Sequence, residues 1–216
     1  TPSEFYRQML EKAAFTKRPI RHLTNFLPLG TEYRALPAQN DDLLYLGRLS
    51  REKGLATLLK ALKECPGTRL KVAGEGPQRQ ELETLSAQLG LEDRVEFLGF
   101  LQGEPLRKLV ADCRAVVLPS EWYENGPYSV MEALAAGKPV LGSRIGGVPE
   151  LVRDGQTGFT FRAGDEGEMA GAIEKLTDLP EGEYRALCQS AADFAREHFE
   201  AEKYCDTLLE WYGELK

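Results

Sequence analysis

Short apolar runs, most of them followed directly by glycine, alternate with amphipathic segments along this chain, and no other feature limits its possible folds so strongly. The runs are Leu43 to Leu46, Arg69 to Ala73, Val95 to Leu98, Ala115 to Leu118 and Pro139 to Leu141, with a shorter sixth at Gly158 to Phe161. Such runs fit strands buried on both faces. The segments between them carry the helical period: Leu55, Leu58, Leu59 and Leu62; Leu82, Leu85 and Leu89, ended by Gly90; Leu106, Leu109 and Val110; and Met131, Leu134 and Ala135, ended by Gly137. The alternation predicts an α/β fold, a doubly wound parallel sheet in a single domain followed by C-terminal helices. Residues 1–40 read as a helix over Glu4 to Ala14, an extended stretch Ile20 to Leu23 and a linker marked by Pro28, Gly30, Pro37 and Asn40. Residues 41–180 hold the sheet. Residues 181–216 read as helices, with one stripe at Tyr184, Leu187, Ala191, Phe194 and Ala195, a break near Phe199, and a second stripe at Tyr204, Leu208, Leu209 and Tyr212 in a pattern running to Leu215.

Charge narrows the partners. Of the 216 residues, 27 are Lys or Arg and 34 are Asp or Glu, a net charge of −7, so there is no basic excess to neutralise a phosphate backbone, and nucleic acid is not expected. No stretch approaches the roughly eighteen apolar residues of a membrane span, and the opening TPSEFYRQMLEKAAF is no secretory signal. A soluble, cytoplasmic protein is expected, with no membrane association indicated. Cys65, Cys113, Cys188 and Cys205 form no C-x-x-C pair, and His22 and His198 lie far apart, so no metal site is expected and the cysteines read as reduced. The chain begins at Thr1 rather than Met and reads as the interior of a longer polypeptide.

In an open parallel sheet ligands lie outside the carboxyl ends of the strands, so the loops there are the candidate site. Gly47 to Gly54 places Arg48 and Lys53 where two cations meet a diphosphate, although a solvated helix start reads equally well from this segment alone. Gly74-x-Gly76 lacks the third glycine of a dinucleotide fingerprint, Arg79 standing in its place, which argues against a dehydrogenase. The most informative stretch runs from Glu124 to Glu132. A short helix is expected to start at Ser129 as N-cap, with Glu132 as capping-box partner and free backbone N–H groups around Tyr128 to Val130 for phosphate oxygens. Glycosidase carboxylates sit roughly 5 to 9.5 Å apart, whereas eight residues of helix rise about 12 Å. That favours two separate tasks for the two glutamates.

The stretches LLYLGRLSREKGLATLLKAL, LKVAGEGPQRQELETL, VEFLGFL and PSEWYENGPYSVMEALAAGKPVLGSRIGGVPELVRDGQTGF together resemble the C-terminal, donor-binding domain of the group 1, retaining GT-B glycosyltransferases, with their E-x7-E signature. The resemblance implies a Rossmann-like domain that binds a nucleotide-diphosphate sugar and transfers the sugar with retention and without a metal. By position it implies that Glu124 sits beside the donor sugar, that Glu132 holds the ribose hydroxyls and that Arg48 and Lys53 bind the diphosphate. Gly126, Pro127, Tyr128 and Ser129 match the loop that assists, while Gly76, Phe100 and Leu101 border the phosphates and base, and Gly47 is a further substrate-binding candidate. It further implies that residues 1–40 lead out of an N-terminal acceptor-binding domain, a partner without which this chain binds donor but transfers nothing at a useful rate. A non-catalytic nucleotide-binding or docking module of the same fold is the alternative, and a GT-B sugar epimerase, which has no need of E-x7-E, a third.

Overall fold

The computed structural model describes residues 1–214. Its centre is a six-stranded, all-parallel sheet of β1 (Leu43–Leu46), β2 (Leu70–Ala73), β3 (Val95–Gly99), β4 (Ala115–Leu118), β5 (Val140–Ser143) and β6 (Gly158–Phe161), in the order β3-β2-β1-β4-β5-β6. The order reverses between β1 and β4, and at such a switch point the loops on either side diverge and leave a crevice. Helices α1 (Glu4–Lys12), α2 (Leu55–Lys63), α3 (Arg79–Gln88), α4 (Glu104–Asp112), α5 (Tyr128–Ala135), α6 (Val148–Leu151), α7 (Glu166–Thr177), α8 (Glu181–His198) and α9 (Ala201–Gly213) complete the chain, with a 3-10 turn at Arg51–Lys53.

Alternation along the strands divides the core. Leu43 and Tyr45 of β1 face one way, into a cluster with Leu58 and Leu62 of α2, Leu82 of α3 and Met169 and Ile173 of α7. Leu44 and Leu46 face the other, against Val110 of α4, Met131 and Leu134 of α5, Val148 of α6 and Phe194 of α8. Both faces of the central strands are thus covered, as a parallel sheet requires.

The expected strands are all present, with small shifts at their ends. The fifth begins at Val140 rather than Pro139, because proline lacks the N–H; its carbonyl still accepts from the Val116 N–H at 3.1 Å. Helix α1 stops at Lys12, two residues early, and Ala14 leaves it with φ +50°. Helices α6 and α7 and the 3-10 turn were not expected. Ile20 to Leu23 joins no strand. The C-terminal break falls at Phe199, as expected, but the second stripe is not a buried one: Tyr204 and Leu208 are half-buried, and Leu209 and Tyr212 are 67% and 60% exposed. Leu215 lies outside the described residues.

Residues 1–40 are stitched to the domain along their length. Ser3 caps α1 and donates to Asn125 Oδ1 at 2.6 Å, while the Glu150 carboxylate accepts the Glu4 and Phe5 N–H groups at 2.9 and 2.8 Å. Leu27 is buried and its N–H reaches the Phe199 carbonyl at 2.9 Å. The Arg34 and Leu36 N–H groups take the otherwise orphaned carbonyls of Ala135 and Ala136 at the end of α5. Buried Lys138 donates to the Leu36 carbonyl at 2.7 Å, and burial holds its ammonium below the usual lysine range.

Candidate functional site

A cavity of about 580 Å³ opens at the carboxyl edge of the sheet, over the switch point between β1 and β4. Arg48 and Lys53 from the loop after β1, Glu124 from the loop after β4, and Pro127, Tyr128, Ser129 and Glu132 from the start of α5 all line it. Gly47, Phe100 and Leu101 line it as well. Its floor is apolar, made by Leu46, Ala73, Leu106 and Leu118.

Two expected members lie elsewhere. A Cβ on Gly76 would stand 2.2 Å from the Leu49 carbonyl oxygen, so Gly76 packs against the backbone of the first loop, and its neighbours Gly74 and Glu75 line the cavity instead. Gly126 faces away, toward the Asn25 amide and Pro2, on the wall of a second cavity beneath the N-terminal segment.

The start of α5 also differs from expectation. Pro127, with φ −67°, is the N-cap; Ser129 lies inside the first turn and makes no capping bond. Glu132 accordingly has no capping-box partner. The Val130 N–H is taken by the Pro127 carbonyl at 3.1 Å, so the free donors among the described residues are the N–H groups of Tyr128 and Ser129. Both belong to residues that line the cavity, where the positive end of the helix dipole favours an anion.

The two cations differ in state. Lys53 Nζ lies 2.6 Å from Glu124 Oε1, whereas Arg48 has no ion-pair partner among the described residues. The Arg48 backbone is fixed, because the hydroxyl of buried Tyr45 donates to its carbonyl at 2.8 Å. The two carboxylates differ as well. Glu124 is buried and accepts from Lys53 and, at 2.5 Å, from the buried Ser120 hydroxyl. Glu132 has no protein partner among the described residues, and the surrounding protein raises its carboxyl above the usual glutamate range by desolvation, although the residue opens on the cavity.

Reasoning from sequence missed Tyr45, Gly74, Glu75 and Ser120. Gly74 and Glu75 share the loop of Gly76, so a signal existed there. Ser120 precedes Glu124 by four residues in a loop, and nothing local marks it.

Residues 33–196 match the family model described as glycosyl transferases group 1. Among curated relatives, the chain is 32% identical over 177 residues to the alpha-D-kanosaminyltransferase of Streptomyces kanamyceticus, covering 80% of this chain and 45% of that protein. It is 36% identical over 165 residues to the glycogen synthase of Mycobacterium tuberculosis, covering 74% and 38%. The chain therefore spans less than half the length of these two relatives. Among solved structures, Anabaena Alr3699/HepE in complex with UDP-glucose superposes with a TM-score of 0.88 at 26% identity, over 99% of this chain and 63% of that one. Sucrose-phosphate synthase from Thermosynechococcus elongatus gives 0.87 at 27%, over 100% and 57%.

Proposed function

Because the chain belongs to the group 1 glycosyl transferases, we propose that it is the nucleotide-sugar donor domain of a retaining enzyme, acting with an N-terminal acceptor-binding domain. One observation carries this reading: Arg48, Lys53, Glu124, Glu132 and the free N–H groups of α5 converge on a single cavity at the switch point of the sheet.

The chemistry follows from the charges. A departing nucleoside diphosphate gains negative charge as the glycosidic bond breaks, and fixed donors aimed at it lower the barrier. Arg48, with no ion-pair partner among the described residues, offers a planar fork to the diphosphate. The Tyr128 and Ser129 N–H groups add two preorganised donors. Lys53 keeps two of its three protons available after bonding Glu124, so it bridges phosphate and carboxylate. In this reading the cations carry the role that a divalent ion has elsewhere. Glu124 accepts a hydroxyl of the sugar, Glu132 accepts the ribose hydroxyls, and Phe100 and Leu101 border the base.

The test is calorimetric titration of the chain with UDP and GDP. Lys53→Glu is expected to abolish binding and Glu132→Gln to weaken it; equal binding by all three proteins overturns the proposal. The chain alone is expected to bind donor and leave an acceptor sugar unmodified, and efficient transfer by it would remove the need for the second domain.

A further inference from the structure

We propose that Ser120 is a positioning residue that fixes which oxygen of Glu124 meets the sugar, an inference that rests on the donor-site reading above. Ser120 and Ser143 are fully buried, and Ser143 ties the two strand ends together through the Ser120 backbone. The Ser143 hydroxyl at the end of β5 donates to the Ser120 carbonyl at 2.6 Å, and the Ser120 hydroxyl donates to Glu124 Oε1 at 2.5 Å. Lys53 donates to the same oxygen at 2.6 Å.

Two donors on one carboxylate oxygen leave the other unspent. Glu124 Oε2 accepts no hydrogen bond from the described residues, yet it is not among their buried, unpartnered polar atoms. It is therefore accessible to solvent, on a residue that lines the cavity. A carboxylate in water offers either oxygen, and its terminal torsion is broad. Here the buried hydroxyl removes that freedom, and Oε2 alone is presented to an incoming sugar hydroxyl.

The rest of the loop is pinned too. The Glu121 N–H reaches the Glu52 carbonyl at 2.8 Å, and the Gly147 N–H reaches the Glu124 carbonyl at 2.7 Å. Loss of the Ser120 hydroxyl thus leaves the backbone of the loop in place and removes only one of the two donors that hold the carboxylate, the other being on the long, flexible Lys53 side chain. Lys53 retains its partner, so the diphosphate grip is unaffected.

The experiment separates sugar from diphosphate. Calorimetry compares UDP with UDP-glucose, GDP with GDP-mannose and ADP with ADP-glucose on the wild-type chain, and carries forward the pair it binds most tightly. Ser120→Ala is expected to weaken the nucleotide sugar about tenfold and the diphosphate less than twofold, with Ser120→Thr recovering part of the loss. In a Glu124→Gln background Ser120→Ala is expected to have no further effect, because the two residues act as one unit. Equal weakening of both ligands, no weakening of either, or an undiminished Ser120→Ala effect in the Glu124→Gln background overturns the positioning role and leaves the donor-site reading standing. A wild-type chain that binds none of the three pairs overturns the donor-site reading first, and the positioning role with it.

Discussion

Gly54 joins the 3-10 turn that carries Lys53 to α2, and its replacement by alanine tests how the cavity is held together. The residue adopts φ +69°, and a Cβ built there stands 2.0 Å from the Pro119 carbonyl oxygen at the start of the loop that carries Glu124. Gly90, just beyond α3, has nearly the same conformation, φ +70°, with nothing within 4 Å of its Cβ. The left-handed conformation costs an L-residue about 1–2 kcal/mol at either position. At Gly54 a further cost of about 1–3 kcal/mol is expected, because a main-chain carbonyl in a packed interior cannot rotate aside like a side-chain tip. Gly54→Ala should therefore lose about 2–5 kcal/mol, and Gly90→Ala about 1–2. The first figure is a large share of the roughly 5–15 kcal/mol of a typical domain.

Urea denaturation followed by circular dichroism measures both, with unchanged slopes showing that stability alone has moved. The two variants should also differ in function. To clear the clash, the turn bearing Lys53 must separate from the loop bearing Glu124, which breaks their 2.6 Å contact, so Gly54→Ala should lose nucleotide affinity while Gly90→Ala keeps it. Equal destabilisation by the two substitutions would refute the claim that contact with Pro119 demands glycine at position 54.

Arg48 and Lys53 should separate stability from binding. Arg48→Ala removes a cation with no ion-pair partner among the described residues, so stability should change by less than about 0.5 kcal/mol while diphosphate binding weakens about tenfold or more. Lys53→Met strips a donor from buried Glu124 and should cost about 1–3 kcal/mol in urea denaturation as well as the binding. Glu132 carries a pKa raised by desolvation, so its neutral form suits the folded chain and its ionised form weighs against it. Glu132→Gln should accordingly raise the thermal midpoint of the ligand-free chain at pH 7, with the difference shrinking as the pH falls below about 4, where the wild-type carboxyl is protonated folded and unfolded. Thiol titration of the native chain at pH 8 should show one fast group, exposed Cys205, since Cys65, Cys113 and Cys188 are buried and burial pushes Cys65 to about 11 and Cys113 to about 12. All four should react in denaturant.

The strands were legible because a parallel sheet buries both faces of its central members, which makes Leu43–Leu46 and Ala115–Leu118 uninterrupted apolar runs. Helix α7 escaped notice because Gly167, Ala170, Gly171 and Ala172 dilute its apolar stripe, even though Asp165 caps it through the Glu168 N–H. At α5 two start signals competed, and Pro127 prevailed over Ser129. Proline has no N–H to leave unsatisfied, and its fixed φ suits a helix boundary. Local sequence marked the loops that form the cavity but not which member of each loop faces it. The orientation of Gly76 is set by Leu49 and that of Gly126 by Asn25, both brought in from elsewhere in the chain. Ser120 meets Glu124 because the loop after β4 is tied to Ser143 of β5, a contact that no local pattern encodes.

On the proposed reading, the unequal surroundings of the two carboxylates give them separate tasks. Glu124 is half satisfied before any ligand arrives: Oε1 accepts from Lys53, which balances its charge, and from Ser120, and this pairing offsets the desolvation cost of burying it. On that reading such a group contributes orientation, since a ligand hydroxyl finds Oε2 already aimed. Glu132 is the converse, an exposed carboxylate with no protein donor among the described residues, whose charge desolvation by the surrounding protein disfavours. In the proposed complex, two neighbouring ribose hydroxyls donate to it in place of solvent, in a site that ligand burial dries further. Under the proposed reading affinity is thus concentrated at the nucleoside end, which is common to donor and departing diphosphate, and alignment at the sugar end. Ligands that keep the ribose but lack the sugar should then retain most of the binding free energy, whereas removal of both ribose hydroxyls should cost more affinity than removal of the sugar. Calorimetry with a 2′,3′-dideoxynucleoside diphosphate beside its ribose parent decides the point, and equal affinities would show that Glu132 does not meet the ribose.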